Sequence, residues 1–224
     1  MIPAAAAHVF VDDLARPELS PDDRHHLERV LRLRSGEVVT VSDGRGSWLR
    51  AAFGPELEPL GEVATVPVPC PAVTIAFAVP KGDRPEWLVQ KCTELGADVL
   101  IPVTTVRSVV RWEGERAGKQ VARLARVARE ASMQSRRAWL PEVEPVQRLE
   151  DVASRRGACA AEPGGSRPSL GCPTVLIGPE GGWAPGELPD GLPRLDLGPT
   201  VLRTETAAVL SAGLLATLRA GLVT

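Results

Sequence analysis

The spacing of apolar and polar positions divides the chain into two regions. In the first, residues 8–66, short apolar runs are separated by turn sequences such as Asp43-Gly44-Arg45-Gly46, and this pattern predicts short strands joined by tight hairpins. One helix is expected from Ser20, which suits its N-cap. Its apolar stripe consists of Leu27, Val30 and Leu31. Several short strands with one helix are typical of a small β-barrel.

The second region alternates apolar strands with helical periodicity, which predicts an α/β fold with a mostly parallel sheet. The expected strands lie at 73–79, 99–103, 157–161, 174–177 and 194–197. A loop rich in Gly, Pro and Ser is expected at 162–173. The uncharged, Pro-dense segment 67–71 indicates the boundary between the regions. We therefore predict domains at residues 1–70 and 71–224.

Three helices are expected in the second region. The first starts at Asp83, has Glu86 at the spacing of a capping box, and ends at Gly96. Its predicted inner face holds Trp87, Leu88, Cys92 and Leu95. A long helix is predicted at 116–136, and a last one runs from Thr204 or Thr206 to about Ala220.

Charge is concentrated in one segment of a chain whose net charge is only −2. Residues 107–137 contain nine basic and three acidic residues, which favours a local site for a polyanion. The alternative is a solvated helix face. On a helical wheel of the long helix, two opposite faces separate. The basic face holds Arg116, Lys119, Arg123 and Arg126, and the apolar face holds Val121, Leu124, Ala125, Ala128 and Ala131.

Composition excludes several classes of protein. Hydrophobic residues make up 44% of the chain, enough for a core and too many for global disorder. The apolar runs are too short to cross a bilayer and no signal peptide is recognised, so a cytoplasmic protein without membrane contact is expected. Four cysteines without a C-x-x-C spacing and only three histidines predict reduced thiols and no metal site.

Two stretches after predicted strands carry the candidate chemistry. Gly178-Pro179-Glu180-Gly181-Gly182 allows a backbone to approach a ligand closely, although a plain tight turn is the alternative. It matches neither a Walker loop nor a G-x-G-x-x-G fingerprint. In the stretch 197–207, helix capping explains the threonines and Glu205. Capping does not explain Arg203, because a cation is unfavourable at a helix N-terminus unless an anion pairs with it.

Further basic segments follow other predicted elements. They are Lys81-Gly82-Asp83-Arg84, Arg107-Ser108-Val109-Val110-Arg111-Trp112 and Gln134-Ser135-Arg136-Arg137. Arginine forks suit phosphates and Trp112 could stack on a base, so together these segments could line a groove for RNA. His25 and His26 have no carboxylate arranged around them, and a surface or partly buried pair is the favoured interpretation.

The ordered set of these motifs resembles the ribosomal small subunit methyltransferase E family. The matching stretches, almost end to end, are His25-His26-Leu27, Val30-Leu31-Arg32-Leu33-Arg34, Asp43-Gly44, 81–84, 87–91, 93–96, 107–112, Glu130-Ala131, 134–137, 178–182 and 202–207. The resemblance implies a PUA-like barrel followed by a SPOUT domain whose last segments form a deep trefoil knot. It also implies a homodimer that uses S-adenosylmethionine to methylate N3 of one uridine, U1498 in the usual numbering, in the 16S ribosomal RNA of the assembled small subunit.

Site residues follow from the same resemblance. Those expected at the cofactor are Gly178, Pro179, Glu180, Gly181, Gly182, Leu197, Gly198, Leu202, Thr204 and Ala207. Those expected at the RNA are His25, Arg32, Lys81, Arg84, Arg107, Arg111, Arg136 and Arg137. As a hypothesis, Arg203 stabilises charge on the uracil oxygens and Glu205 removes the N3 proton, with Glu180 as the second candidate base.

The chain departs from the family at two places. The usual Arg-x-Phe near the N-terminus is His8-Val9-Phe10 here, which weakens or removes any RNA contact by that Arg. The loop at 162–173 is unusual, so the edge of the cofactor pocket near Ala160-Ala161 is not defined by the resemblance. Three alternatives remain: a SPOUT enzyme with another RNA target, a non-catalytic assembly factor, and an α/β protein with an unknown small ligand.

Overall fold

The computed structural model describes residues 2–223, which form two compact units. One unit takes the residues up to Val68 together with Arg129–Leu140, and the other takes Pro69–Ala128 and the residues from Pro141 onward. The chain therefore contributes to the first unit twice. The expected boundary at residue 70 lies near Val68 and Pro69, where the chain first passes from one unit to the other. The assignment of PUA-like and methyltransferase domains to 1–70 and 71–224 stays a prediction.

The first unit is built on a five-stranded sheet in the order β1-β2-β3-β4, with β5 paired to β3. Its strands are β1 (His8–Phe10), β2 (Val38–Ser42), β3 (Ser47–Ala52), β4 (Glu58–Pro59) and β5 (Ala64–Thr65). β1 pairs with β2 in parallel, and the other pairs are antiparallel. The inner face of this sheet and Leu27 form a separate hydrophobic core, against which Met133 packs.

The helix of the first unit changes its winding after its first five residues. Helix α1 (Pro21–His25) is capped by Ser20, whose Oγ accepts from the Asp23 backbone at 3.1 Å, and continues as a π-helical turn at His26–Val30. The wider turn rotates later residues off the inner face. The predicted apolar stripe is therefore wrong in part, because Leu27 is buried but Val30 and Leu31 are exposed.

His8 is buried in β1 and does not reach the surface. Only 3% of the residue is exposed, and its ring nitrogens lie 2.9 Å from Oγ1 of Thr40 and 3.0 Å from the carbonyl oxygen of Arg137. Of the two outcomes expected for an RNA contact at this position, weakened or removed, the burial of His8 favours removal.

The second unit confirms the predicted α/β class. Its sheet is entirely parallel in the order β12-β10-β11-β6-β7-β8, with β9 also on β7. The strands are β6 (Thr74–Ala78), β7 (Val99–Thr104), β8 (Glu142–Val143), β9 (Gln147–Arg148), β10 (Ala158–Ser166), β11 (Thr174–Ile177) and β12 (Arg194–Leu195). Both faces bury apolar clusters, as parallel sheets require.

β10 is longer than the sequence predicts. It continues to Ser166 through residues expected to be loop, with a register shift against β12 between Ala161 and Ser166. Gly165 permits this, because a Cβ there would lie 2.5 Å from the carbonyl carbon of Arg194. The low strand propensity of Gly and Pro hides such a segment from pattern analysis.

The helices of the second unit are α2 (Arg84–Leu95), α3 (Gly114–Gln134), α4 (Leu149–Ala153) and α5 (Thr204–Arg219), and α3 continues into the first unit. The capping box predicted for α2 is wrong: Asp83 makes no side-chain cap, and Glu86 pairs with Arg123 at 2.9 Å. Its predicted inner face is also wrong in part, because Trp87 and Leu95 are exposed whereas Leu88 and Cys92 are buried.

The basic face of α3 forms as predicted, since Arg116, Lys119, Arg123 and Arg126 are all exposed. On the opposite face Leu124, Ala128 and Ala131 are buried, but Ala125 is exposed. Among residues 2–223, no helix is both long and apolar enough to cross a bilayer. Over the same range, no cluster of His, Cys, Asp and Glu could hold a metal ion. The four cysteines are free thiols.

Candidate functional site

A cleft of about 210 Å³ lies where β11 and β12 end. Its walls come from the segment after β11, the segment after β12, the middle of β10 and the start of α5. The lining residues are Ala161, Glu162, Pro163, Ile177, Gly178, Pro179, Glu180, Gly182, Trp183, Asp196, Leu197, Gly198, Thr200, Val201, Leu202, Thr204 and Ala207. The cleft thus occupies the carboxyl edge of a parallel sheet, where such folds bind ligands.

The loop after β11 forms the first wall. The backbone N–H of Gly182 donates to the carbonyl of Pro179 at 2.8 Å, which closes a tight turn. Gly178 packs against the ring of Trp183, and a Cβ at this position would lie 3.0 Å from the nearest ring atom. The absence of a side chain at Gly178 therefore lets the loop and the Trp183 ring share one wall of the cleft.

The segment after β12 forms the second wall and is held by Asp196. One carboxylate oxygen of Asp196 accepts from the backbone of Gly198 at 2.8 Å, and the other accepts from Gly164 at 3.1 Å. These bonds connect the long β10 to the second wall. Asp196 and Glu162 were not predicted as cleft residues, because the end of β10 was expected to be a loop and the second wall was expected only from residue 197 onward. Trp183 was not predicted either, since it lies just after the Gly-rich motif.

Thr204 connects α5 to the Gly-rich loop. Its hydroxyl donates to the carbonyl of Gly178 at 2.8 Å. Thr204 is the first residue of α5, which is one of the two predicted starts. It does not cap the helix, as the capping interpretation predicted, because Arg203 occupies the cap position and makes no side-chain cap bond. The Arg203 side chain is exposed, and no hydrogen bond or ion pair to it occurs within residues 2–223.

Two carboxylates share one guanidinium beside the cleft. Nη1 of Arg84 lies 3.3 Å from Oε1 of Glu180, and Nε of Arg84 lies 3.6 Å from Oε1 of Glu205. The Glu205 side chain is 11% exposed, against 41% for Glu180. Oε2 of Glu205 is buried and accepts no hydrogen bond within the described chain. Glu205 does not itself line the cleft, although Thr204 and Ala207 of the same helix do.

The loop after β7 is attached to the Gly-rich loop by two contacts. Nη1 of Arg107 donates to the carbonyl of Gly181 at 2.9 Å. Glu187 accepts from the backbone of Val106 and, at 2.7 Å, from that of Ala184. The basic segments at 81–84 and 107–112 therefore lie on the same edge as the Gly-rich loop, as expected from their positions after strands. Glu187 was missed, because a lone Glu in a loop carries no sequence signal.

The other expected RNA-binding residues are distributed over both units. His25, Arg32, Lys81 and Arg111 are exposed. Arg136 donates to the carbonyls of Pro3 and Ala5, and Arg137 donates to that of Trp139. The expectation that Trp112 stacks on a base is wrong, because Trp112 is 6% exposed and lies in the core cluster. RNA contact by these seven Lys and Arg residues and His25 stays a prediction.

The cleft fits S-adenosylmethionine in its chemistry. All of the residues expected at the cofactor line it except Gly181. Apolar side chains at Ile177, Leu197 and Leu202 suit an adenine ring, while backbone groups and carboxylates suit hydroxyls and an ammonium. These residues support the expected cofactor.

Comparison with protein families gives two matches. A model of an RNA methyltransferase domain matches residues 67–216, and a model of an RNA methyltransferase PUA domain matches residues 19–53. The first match covers most of the second unit, and the second lies within the first unit.

Named relatives agree with these matches. The chain is 34% identical over 217 residues to a ribosomal RNA small subunit methyltransferase E of Mycobacterium bovis, covering 86% of this chain and 82% of the relative. It is 31% identical over 221 residues to the protein of the same name from Bacillus subtilis, covering 84% and 85%.

Solved structures extend the similarity to the whole fold. A ribosomal RNA small subunit methyltransferase E from Neisseria gonorrhoeae, bound to S-adenosylmethionine, has a TM-score of 0.79 at 27% identity and covers 95% of this chain and 97% of its own. A probable rRNA methyltransferase from Porphyromonas gingivalis has a TM-score of 0.78 at 27% identity, with coverages of 97% and 100%. The trefoil knot stays a prediction.

Proposed function

Because this chain belongs to the ribosomal RNA small subunit methyltransferase E family, we propose that it methylates N3 of one uridine, U1498 in the usual numbering, in 16S ribosomal RNA. At the coarser level it is an RNA methyltransferase that uses S-adenosylmethionine. The observation that carries the proposal is the cleft, where Thr204 at the start of α5 lines the wall and bonds to the Gly-rich loop. Arg203 and Glu205 flank Thr204 in the chain.

The cofactor supplies an electrophilic methyl group on a sulfonium. The protein must place uridine N3 in line with that methyl and accept the N3 proton. Glu205 is the proposed proton acceptor, because one of its oxygens is buried without a partner in the described chain. Glu180, half exposed at the mouth of the cleft, is the second candidate.

Arg203 is the proposed stabiliser of the charge that spreads onto O2 and O4 of the uracil as N3 loses its proton. Its side chain is exposed next to Thr204 and Glu205 and has no partner within the described chain, so its guanidinium is available to a ligand. We expect Arg203→Ala to lower the rate of methyl transfer about a hundredfold while the affinity for S-adenosylmethionine changes little. Unchanged turnover would remove Arg203 from the mechanism.

We further propose that the target base leaves its stack to reach the cleft and that the protein acts as a homodimer on the assembled small subunit. Arg107, which contacts the Gly-rich loop, and the exposed cations Lys81 and Arg111 would contact phosphates that flank the base. His25 and Arg32 of the first unit are exposed and would contact RNA separately.

The test is transfer of labelled methyl from S-adenosylmethionine to small ribosomal subunits from a strain that lacks this gene, followed by nucleoside analysis. Label in 3-methyluridine is expected. Label in a different nucleoside, such as a 2′-O-methylated one, would keep the methyltransferase and overturn the proposed target. RNA binding without cofactor binding would favour an assembly factor.

A further inference from the structure

Arg84 lies at the first position of α2 and faces two acidic side chains that come from distant parts of the chain. Glu180 belongs to the Gly-rich loop, and Glu205 belongs to the first turn of α5. The three side chains therefore connect α2, the Gly-rich loop and α5. From its sequence position, Arg84 was predicted to contact RNA, since a guanidinium suits a phosphate.

The surroundings of Arg84 do not favour a phosphate ligand. Its two carboxylate neighbours already provide more negative charge than one guanidinium balances, so an incoming phosphate would meet net repulsion. Arg84 is also only 38% exposed by side chain. Lys81 and Arg107, which are exposed on the same edge of the sheet, are better placed for a phosphate.

Glu205 is paired with Arg84 through one carboxylate oxygen only. A carboxylate that is nearly nine-tenths buried is strongly destabilised in its ionised form unless a cation or hydrogen-bond donor is close. Arg84 is the one ion-pair partner of Glu205 within residues 2–223, and it faces Oε1. Oε2 remains buried without a donor there, which is a costly arrangement unless a ligand completes it.

We propose that Arg84 is a positioning residue that holds Oε1 of Glu205 and reserves Oε2 for the N3–H of the target uracil. This inference rests on the proposed function. Oε2 of Glu205 is buried in the free protein, so side chains must shift before the base can reach it. Glu180 assists this shift. Arg84 is the more exposed member of the Arg84–Glu205 pair, and Glu180 offers it a second carboxylate as it shifts.

The test is a double-mutant cycle on Arg84 and Glu205, read as the single-turnover rate of methyl transfer at saturating RNA and cofactor. We expect Arg84→Met to slow this rate about thirtyfold or more, with RNA affinity changed by less than about threefold. In a Glu205→Gln background, Arg84→Met should slow it by no more than about twofold, because the residue acts through Glu205. Arg84→Lys should recover part of the rate.

Arg156→Met is the matched control, since Arg156 is an exposed cation of the same unit outside the site and its removal should leave the rate unchanged. Calorimetric affinity for S-adenosylmethionine and thermal melting show whether each variant is folded. If Arg84→Met weakens RNA binding and leaves the saturating rate intact, Arg84 is a phosphate ligand and the inference is overturned. Additive effects of the two substitutions would overturn it equally.

The identity of the wild-type product separates this inference from the proposed function. If the wild type forms a methylated nucleoside other than 3-methyluridine, the proposed target fails, and the reservation of Oε2 for an imide N–H fails with it. The cycle on that product still decides whether Arg84 acts through Glu205. If the product is 3-methyluridine and the cycle is additive, the proposed function stands and only the role of Arg84 is overturned.

Discussion

His8 is a residue whose ionisation is changed by folding. Burial lowers the pKa of its imidazole from 6.5 to about 4; the hydrogen bond to the Arg137 carbonyl opposes this shift, and the nearby Arg136 charge adds to it. Between these two pKa values the unfolded chain binds a proton that the folded chain does not, so stability is lost as the pH falls through this window. Because of this shift in the pKa of His8, we expect the free energy of unfolding to be about 2 kcal/mol lower at pH 5 than at pH 7.

Urea unfolding at both pH values measures this effect in the wild type and in His8→Gln. The variant should lose much of the pH dependence, because its side chain does not titrate. His25→Gln is the control, since His25 is exposed and its replacement should leave the pH dependence unchanged. If the free energy of unfolding changes equally between pH 7 and pH 5 in the wild type and in His8→Gln, His8 is not buried as a neutral ring.

Gly178 gives a second prediction for a single residue. A methyl group at this position would lie 3.0 Å from the Trp183 ring, closer than nearly all Cβ contacts, and would push the ring within the cleft wall. We expect Gly178→Ala to weaken S-adenosylmethionine binding about tenfold, measured by calorimetry, with a small effect on stability. Gly118→Ala on α3 is the matched control, because nothing lies within 4 Å of its Cβ position. Equal affinities of both variants would contradict the close packing.

Single residues also show what sequence reasoning can reach. The Gly-rich loop and the stretch around Arg203 were predictable, because Gly and dense polar residues after a strand leave a local pattern. The pairing of Arg84 with Glu180 and Glu205 was not, since it depends on three segments that only the folded sheet brings together. Asp196 and Glu187 were missed for the same reason, as each binds backbone N–H groups of a different loop or strand.

At the scale of elements, α3 carries the charge that the sequence singled out. Arg116 and Lys119 are exposed on its basic face, and Arg123 of that face pairs with Glu86 of α2. Glu86 lies one helical turn or less from Arg84, so the basic face begins close to the candidate site. The interpretation as a polyanion site, rather than a solvated face, therefore has a spatial argument in its favour.

Salt dependence tests that interpretation. Each phosphate contact to single-stranded RNA contributes about 0.7 to the slope of log affinity against log salt. Arg116→Gln with Lys119→Gln should reduce the magnitude of the slope by about 1.4. The matched control is Arg156→Gln with Arg167→Gln, which removes the same charge from exposed positions elsewhere in the unit. If both pairs lower the slope equally, the effect is one of net charge, and α3 is a solvated face.

Elements were predictable where periodicity is strong and less so where it is interrupted. α2, β7 and β11 lie close to their expected positions, because their apolar spacing is regular. β10 was cut short in the prediction because Gly and Pro mask its second half, and α1 lost its expected stripe when it widened into a π-helical turn. For β10, pairing with β12 overrode local propensity.

For the whole molecule, the alternation of strands and helices was enough to predict the parallel sheet of the second unit. It did not predict that the first unit includes Arg129–Leu140 as well as the residues up to Val68. Residues 129–140 return to it and are bound there. The carboxylate of Asp23 accepts two bonds from Arg129 at 2.9 and 2.7 Å. Burial raises the pKa of Asp23, but hydrogen bonds from Arg129 and Ser20 outweigh it and hold the pKa below its ordinary value. The pair is therefore charged at neutral pH.

The same segment also bonds to the turn between β2 and β3 of the first unit. The carbonyl of Ala138 accepts from Gly46 at 3.0 Å and from the Ser42 hydroxyl at 3.2 Å, and Leu140 donates to the carbonyl of Gly44 at 3.0 Å. Trp139 donates its indole N–H to the carbonyl of Val66 at 2.9 Å. A fragment that ends at the Pro-rich boundary would lose these bonds to Gly44, Gly46 and Val66. It would also leave Asp23 without the cation of Arg129.

We therefore expect residues 1–68 alone to lack a cooperative fold, and the same residues joined by a flexible Gly/Ser linker to 129–140 to fold, because the linker holds the segment at an effective concentration of about millimolar. Amide NMR dispersion and urea unfolding measure the difference. The control fusion carries Arg129→Met, which leaves Asp23 buried without its cation and should cost about 3 kcal/mol or more. A dispersed spectrum and a cooperative transition from residues 1–68 alone would contradict this prediction, because the first unit would then fold without residues 129–140.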